Sequence, residues 1–507
     1  MGNLEIGNKL HGVPVYSGKI RQFRHVMSET RTLLTIVDND VHICRRLRTV
    51  HAYVGSQLIP CRSLRRRRNG MWLARISHIE EKTAAHAMAN GCGTGSLVGM
   101  ANLQMSQETR EFIRAHAGED VRELALHAKR DVPGLDLPFA LDQIAGHEIA
   151  RTKLPQWAAC EGIVYPPHLA MEQCSSQFTA EYKAQVAAQL VAGESEPTLV
   201  DLTGGFGVDF SALVRGFAQG TYVERQEGLC EVARHNLREL GLGGRADVVC
   251  GDGVDHLEQM SPATLIYLDP ARRDEYGART YAIEDCTPNA LALREQLLDK
   301  APFVMIKLSP MLDWRKTIAD FAGSVAQVHI TATGNECKEI VVVLAHGEHE
   351  RVRVVCVNDA QRLEFEVGAD SAGPWQRADV LDARELDAQR YLYEPNAAIM
   401  KAGAFGEITR NYDVRQIGAN SHLFVSGHPV ADFPGRAFEI AALGTMNKRD
   451  VRQVLGGISA ANVSVRNFPL TVQQLRRKLK LRDGGDVYLF ATTVAGRHML
   501  LRTRKMA

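Results

Sequence analysis

The ten cysteines include no Cys-x-x-Cys pair and no Cys/His cluster at zinc spacing. That argues against a zinc ribbon or a disulfide framework, and points to reduced thiols, no metal and a cytoplasmic location. No apolar run reaches the roughly 18 residues that a spanning helix needs, so no membrane partner is expected. Near the N-terminus Glu5, Lys9 and His11 interrupt any apolar region, which removes a signal-peptide reading. The chain also lacks a Gly-Lys-Ser/Thr triphosphate loop and a G-x-G-x-x-G dinucleotide turn.

What is present is an ordinary soluble composition, 45% hydrophobic and 23% charged. A chain of 507 residues is too long for one core, so two to four domains are expected. The net charge of +1 conceals an asymmetry: residues 1–104 hold 15 basic and 6 acidic residues, the remainder 45 and 53. Residues 1–104 show little sustained periodicity. They read as a basic extension, disordered or translated from an upstream start, with Met105 opening the patterned chain. A nucleic-acid-binding arm around the "RRRR" run at 65–68 is the other reading. The "GCGTG" stretch at 91–95 has no strand before it and carries little weight as a phosphate loop.

From Met105 the signals sharpen. Ser106 and Asp120 are placed to cap two helices, and residues 105–190 read as a helical domain ending in a helix from about Ser176. Residues 191–346 alternate apolar strands with helical segments, the pattern of a parallel α/β sheet. The expected strands are 198–202, 220–224, 246–250, 264–268, 303–308, 327–332 and 339–345, the last two joined by "TGNECK" as a hairpin. Period-two stretches at 351–357 and 362–367 belong to an expected domain at 347–432, and a mixed α+β module fills 433–507.

The stretch "LVDLTGGFGVDF" holds the most chemistry. Asp201 ends a strand, and the glycine turn that follows lets a backbone approach a ligand closely. The spacing fits the first loop of class I S-adenosyl-L-methionine (AdoMet) methyltransferases, with Thr203, Gly205, Phe206 and Gly207 as cofactor contacts. Glu224 at the next strand tip suits the ribose hydroxyls, and Asp252 after the third strand suits the adenine amine. Each acid alone could equally be a helix cap; four in order at successive strand ends form a constellation.

The fourth acid opens "LDPARRD". Asp269 is the catalytic candidate, able to take a hydrogen bond or proton from an attacking N–H or O–H, and Pro270 restrains the turn. Many enzymes that methylate base amines place an aromatic residue just beyond. Here Ala271, Arg272 and Arg273 follow, and the arginines suit an anionic substrate, with ion pairs to Asp274 or Glu275 as the alternative. Tyr165, Phe206 and Tyr276 are aromatic options for stacking. Near the end, Arg476, Arg477 and Lys478, with Lys480 and Arg482, form a cluster that could follow a nucleic-acid backbone or simply face solvent.

From about Met105 onward the chain resembles bacterial class I AdoMet methyltransferases with a C-terminal THUMP-like domain. The resemblance rests on "DLTGGFGVDF", "LDPARRD", "IKLSPMLDW", "NECKEI", "YLYEPNAAIMKAGAF" and "VRNFPLTVQQLRRKLKLRDGGDVYLFATT". It implies a Rossmann-like seven-stranded methyltransferase core, an N-terminal helical domain, and ferredoxin-like and THUMP-like modules. It also implies AdoMet as cofactor and tilts the partner towards RNA, tRNA or rRNA. A methyltransferase for a small anionic metabolite and a non-catalytic binding scaffold are the competing functions.

Overall fold

The computed structural model describes residues 105–128, 132–271, 283–368 and 377–506, and the backbone of eight short strands between Asn3 and Arg75. The chain divides into two compact units, Met1–Val98 and Gly99–Ala507. In the first, where sequence periodicity suggested no elements, five strands from Gln22–Ser28 to Gln57–Pro60 form an antiparallel meander. Asn3–Ile6, Trp72–Arg75 and Ser63–Arg66 form a second small sheet, with Arg65 and Arg66 of the basic run on its last strand. The "GCGTG" stretch lies outside the described residues.

The second unit opens with helices. Ser106 accepts from the Thr109 amide at 3.0 Å and caps Gln107–Ala115. Asp120 accepts from the amides of Arg122 and Glu123 and caps Val121–His127. Leu137–Lys153 and Gln177–Leu190 follow, the latter capped by Ser176. Two side chains fasten the "IVYPP" segment by paired bonds to its backbone. Gln143 bonds both polar groups of Tyr165, and Asn236 both of Val164. Buried amides are thereby satisfied where no strand partner exists.

The central sheet is built from β1 (Thr198–Asp201), β2 (Gln219–Glu224), β3 (Ala246–Cys250), β4 (Leu265–Leu268), β5 (Phe303–Leu308), β6 (Val325–Thr333), β7 (Glu336–Ala345), β8 (Arg351–Asn358) and β9 (Gln361–Gly368). Their order is β3-β2-β1-β4-β5-β7-β6-β8-β9. β1 to β5 are parallel and β7 is antiparallel between β5 and β6. Gly334 and Asn335, both at positive φ, make the tight turn of the expected hairpin.

One boundary differs from expectation. β8 and β9 fall within the segment assigned from sequence to the ferredoxin-like domain, yet they extend the methyltransferase sheet. β8 pairs in parallel with β6 and buries Val352, Val354 and Cys356 in its core. An alternating pattern announces a half-buried strand but not the edge on which it docks.

Two apolar layers cover the sheet. On one face Tyr182 and Val186 of Gln177–Leu190, with Val191 just beyond it, pack with Phe210, Tyr222 and Met305. The other layer includes Trp314, Ile318 and the helical residues Ala398, Ile399 and Ile408. The C-terminal strands β10 (Tyr391–Pro395), β11 (Arg415–Gln416), β12 (Phe424–Ser426), β13 (Gly435–Thr445), β14 (Asn462–Val465), β15 (Val487–Val494) and β16 (Arg497–Lys505) form one sheet, ordered β11-β12-β10-β13-β16-β15-β14.

Candidate active site

The parallel strands end together, and their loops carry the acids singled out in the sequence. The turn after β1 is tight. Gly204 donates to Val223 O, Gly207 to Gly204 O, and Gly205 and Gly207 take φ of 57° and 85°. A Cβ on Gly204 would stand 2.2 Å from the Tyr222 ring, so that glycine is needed for packing.

Asp201 is 1% exposed and accepts from the Thr203 amide at 2.9 Å. Burial pushes its carboxyl well above the ordinary range; the Thr203 bond opposes this, and Asp209, Asp269 and Glu224 add to it. Glu224 accepts from the Gly205 amide at 3.0 Å and the Gln226 amide at 2.9 Å, one on each oxygen. A second lone pair remains on each oxygen, the pattern that two vicinal hydroxyls require. Asp252 is exposed and caps Gly253–Gln259 through the amides of Val254 and Asp255, both on Oδ1. Phe206 is 5% exposed with its ring 4.8 Å from that of Trp157, a core contact rather than a free stacking face. Tyr165 is likewise buried, its hydroxyl pushed up to about 12 by burial with a contribution from Cys160. A Cβ added at Gly205 would meet only Thr203 O, at 3.8 Å, leaving open space above the loop. That opening and the acceptors of Asp201 and Glu224 fit AdoMet.

Asp269 lies beside this loop, its amide donating to Thr203 Oγ1 at 2.6 Å. Thr203 thus ties the glycine turn to the catalytic candidate. Pro270 is buried, and Ala271 forms a two-bond bridge with Thr287. Arg272, Arg273 and Tyr276 lie outside the described residues.

The structure adds residues that sequence reading missed. Lys307 on β5 places Nζ 2.5 Å from Asp269 Oδ2, with side chains 14% and 37% exposed. Desolvation opposes its charge, but Asp269, Asp209 and Glu339 outweigh that and hold its pKa above the ordinary value. Lys183, with no exposed surface, binds both oxygens of Glu339 at 2.7 and 2.8 Å, Asp209 at 3.2 Å and Ser175 at 3.1 Å. Tyr267 and Ser175 donate to the other oxygen of Asp209. Burial works to raise the Asp209 carboxyl, but Lys183, Lys307 and these bonds hold it below its usual value. For Glu339 burial prevails over both lysines and raises the carboxyl. The one available signal was charge inside apolar strands, Lys307 within "FVMIKL" and Glu339 leading "EIVVVLA".

Arg476, Arg477 and Lys478 of the C-terminal cluster sit on Val472–Leu479, a helix with a Thr471/Gln474 capping box at its start and Leu475 and Leu479 buried; Lys480 is its C-cap and Arg482 lies beyond it. Arg476 is ion-paired with Asp483, while Arg477, Lys478 and Lys480 are exposed. Among the described residues no group of three His, Cys, Asp or Glu could hold a metal ion, and no helix is long and apolar enough to cross a membrane.

Comparison with known proteins agrees with this architecture. A family described as ferredoxin-like domain matches residues 391–434, and one described as THUMP domain-like matches 435–505. No curated protein matches the chain. Among solved structures, a "putative methyltransferase" from Porphyromonas gingivalis W83 is 31% identical at a TM-score of 0.66. The alignment covers 79% of this chain and 98% of that one. An AdoMet-dependent methyltransferase from Agrobacterium tumefaciens is 16% identical over 34% of this chain and 62% of that one, TM-score 0.27. An O-methyltransferase from Bacillus cereus in complex with S-adenosylhomocysteine is 14% identical over 46% and 99%, TM-score 0.28. The chain belongs to the class I AdoMet-dependent methyltransferases that carry ferredoxin-like and THUMP-like domains at the C-terminus.

Proposed function

We propose that the protein methylates a nucleotide of tRNA or rRNA, with Asp269 at the reacting centre. The observation that carries this is the Asp269–Lys307 pair beside the glycine turn, in a chain that ends in a THUMP-like module with an exposed basic helix. AdoMet supplies an electrophilic methyl group on a sulfonium, so the protein mainly positions the acceptor and manages its proton. Asp201, Thr203, Gly205 and Gly207 would hold the amino-acid end of the cofactor, Glu224 its ribose and Asp252 its adenine. Phe206 would act from behind, bracing the loop against Trp157. Pro270 fixes the turn that presents Asp269. Arg272 and Arg273 would grip phosphate beside the reacting centre, and Arg477 and Lys478 phosphate further away; Arg476 serves through its ion pair with Asp483.

Mass spectrometry of nucleosides from cells with and without the gene tests this reading. One methylated nucleoside should vanish from tRNA or rRNA on deletion. Unchanged RNA, with methyl transfer to a metabolite pool that survives RNase treatment, would replace RNA by a small anionic substrate.

A further inference from the structure

The Asp269–Lys307 pair sets a requirement on the acceptor atom. Asp269 offers a hydrogen-bond acceptor and the Lys307 ammonium a donor, with only 2.5 Å between Nζ and Oδ2. A group engaging both must give one proton, accept one hydrogen bond, and still aim a lone pair at the methyl carbon. A hydroxyl has this set, one hydrogen and two lone pairs. An exocyclic base amine presents two donors and a lone pair delocalised into the ring. A ring nitrogen presents either one in-plane pair and no proton, as in adenine or cytosine, or one proton and a pair delocalised into the ring, as in guanine N1 or uracil N3. Beside either kind of nitrogen, a nearby ammonium would compete for the pair that must attack.

The ammonium is held by its ion pair with Asp269 and largely shielded from solvent. Lys307 lies over a buried framework in which Lys183 clasps Glu339, Asp209 and Ser175, and Tyr267 bonds Asp209. Asp209 and Glu339 both favour the charged form of Lys307. The residues directly after the Asp-Pro turn are Ala271-Arg272-Arg273, in place of an aromatic residue next to the prolyl turn.

We infer that the methyl acceptor is a hydroxyl, in RNA the 2′-hydroxyl of a ribose, with Lys307 and Asp269 as the catalytic residues that contact it. The inference rests on the RNA reading above. An alcohol is a poor nucleophile at neutral pH, so removal of its proton as the bond forms is work for the pair to do. The acceptor oxygen forms its bond to the methyl carbon as the carbon–sulfur pair withdraws onto sulfur. The hydroxyl proton passes to the Asp269 carboxylate and then to solvent. Lys307 donates to the oxygen throughout and favours its developing negative charge. Lys183 and Glu339 are positioning residues. The 2′-hydroxyl is both donor and acceptor, which also separates RNA from DNA at this site.

The full chain is incubated with methyl-tritiated AdoMet and total RNA from the gene-deleted source organism, and the RNA is hydrolysed in alkali. A 2′-O-methyl group blocks cleavage of its own phosphodiester, so label is expected in alkali-stable dinucleotides. Label in mononucleotides would overturn the hydroxyl while leaving RNA methylation standing. RNA without label would overturn both. Lys307→Met should lower transfer by about 10²–10³-fold, the scale for losing one donor to a developing oxyanion. Calorimetric AdoMet affinity should stay within about threefold. Transfer retained within tenfold by a variant that still binds AdoMet would remove Lys307 from the reaction. The wild-type label pattern decides the acceptor class even if the variant does not fold.

Discussion

Replacing Lys183 with methionine probes the framework beneath the active site. Lys183 is wholly buried against Glu339 and Asp209, whose side chains are only 3% and 10% exposed. At the 2.7 Å contact the gross attraction is about 6 kcal/mol for an effective dielectric near 20. Methionine preserves the stem and removes the cation, leaving two carboxyls without it. Breaking a buried pair from one side costs about 3–5 kcal/mol. The lower part of that range is expected, because Glu339 is already raised and escapes part of the penalty by taking up a proton. The pH dependence has a definite sign. A folded-state carboxyl raised above its unfolded value contributes stability that is present at low pH and lost as pH rises through the folded value. The variant should therefore be least impaired near pH 5 and worst near pH 8. Denaturant midpoints followed by tryptophan fluorescence measure this. Adding Glu339→Gln should recover about 1–3 kcal/mol of coupling. A cost under about 1 kcal/mol, or one independent of pH, would show that the cluster does not carry the charges assigned to it.

Other perturbations read other parts of the molecule. Asp201→Asn removes a charge that burial disfavours, so the AdoMet-free protein should gain about 0.5–2 kcal/mol while calorimetric AdoMet binding weakens. Gly204→Ala forces a Cβ into the Tyr222 ring at 2.2 Å and should cost about 1–3 kcal/mol in a melt, with loss of AdoMet binding. His329 is held down to about 3 by burial, with Arg353 and Arg362 contributing, against 6.5 when unperturbed. The stability linked to its neutral form is full above pH 6.5 and lost as pH falls towards 3. His329→Gln should flatten acid unfolding by up to ~1.4 kcal/mol per pH unit in that window. Arg477→Ala with Lys478→Ala should lower the salt dependence of RNA affinity by about 2 in logarithmic slope, with AdoMet binding unchanged.

The methyltransferase core was legible because its strands are short apolar runs and its acids stand at the carboxyl ends of parallel strands, which lie on one edge of the sheet whatever the strand order. The glycine turn is local chemistry, and Asp201, Glu224 and Asp269 converge as spacing implied. Partnership was not legible. Lys183 and Glu339 lie 156 residues apart, and no local pattern signals their ion pair. Phe206 belonged to the loop but not to a free stacking face, because Trp157, from a helix encoded well upstream, covers it. β8 and β9 showed their period, yet their sheet was decided by the edge that β6 offered. In the first unit the strands lack a strong apolar alternation, so the sequence suggested none.

The C-terminal sheet bears on how this protein can be divided. The two family matches meet between residues 434 and 435, yet β10 on one side pairs with β13 on the other from Tyr391–Glu439 to Pro395–Gly435. Their shared core joins Leu392, Ile417 and Val425 to Phe438, Phe490 and Leu501. Cutting there would bare the Gly435–Glu439 edge of β13, an open template for intermolecular pairing. The unit of expression is therefore wider than either family match: residues 435–505 released alone should aggregate, and 391–506 would still bare Ala398, Ile399 and Ile408, which the methyltransferase sheet covers.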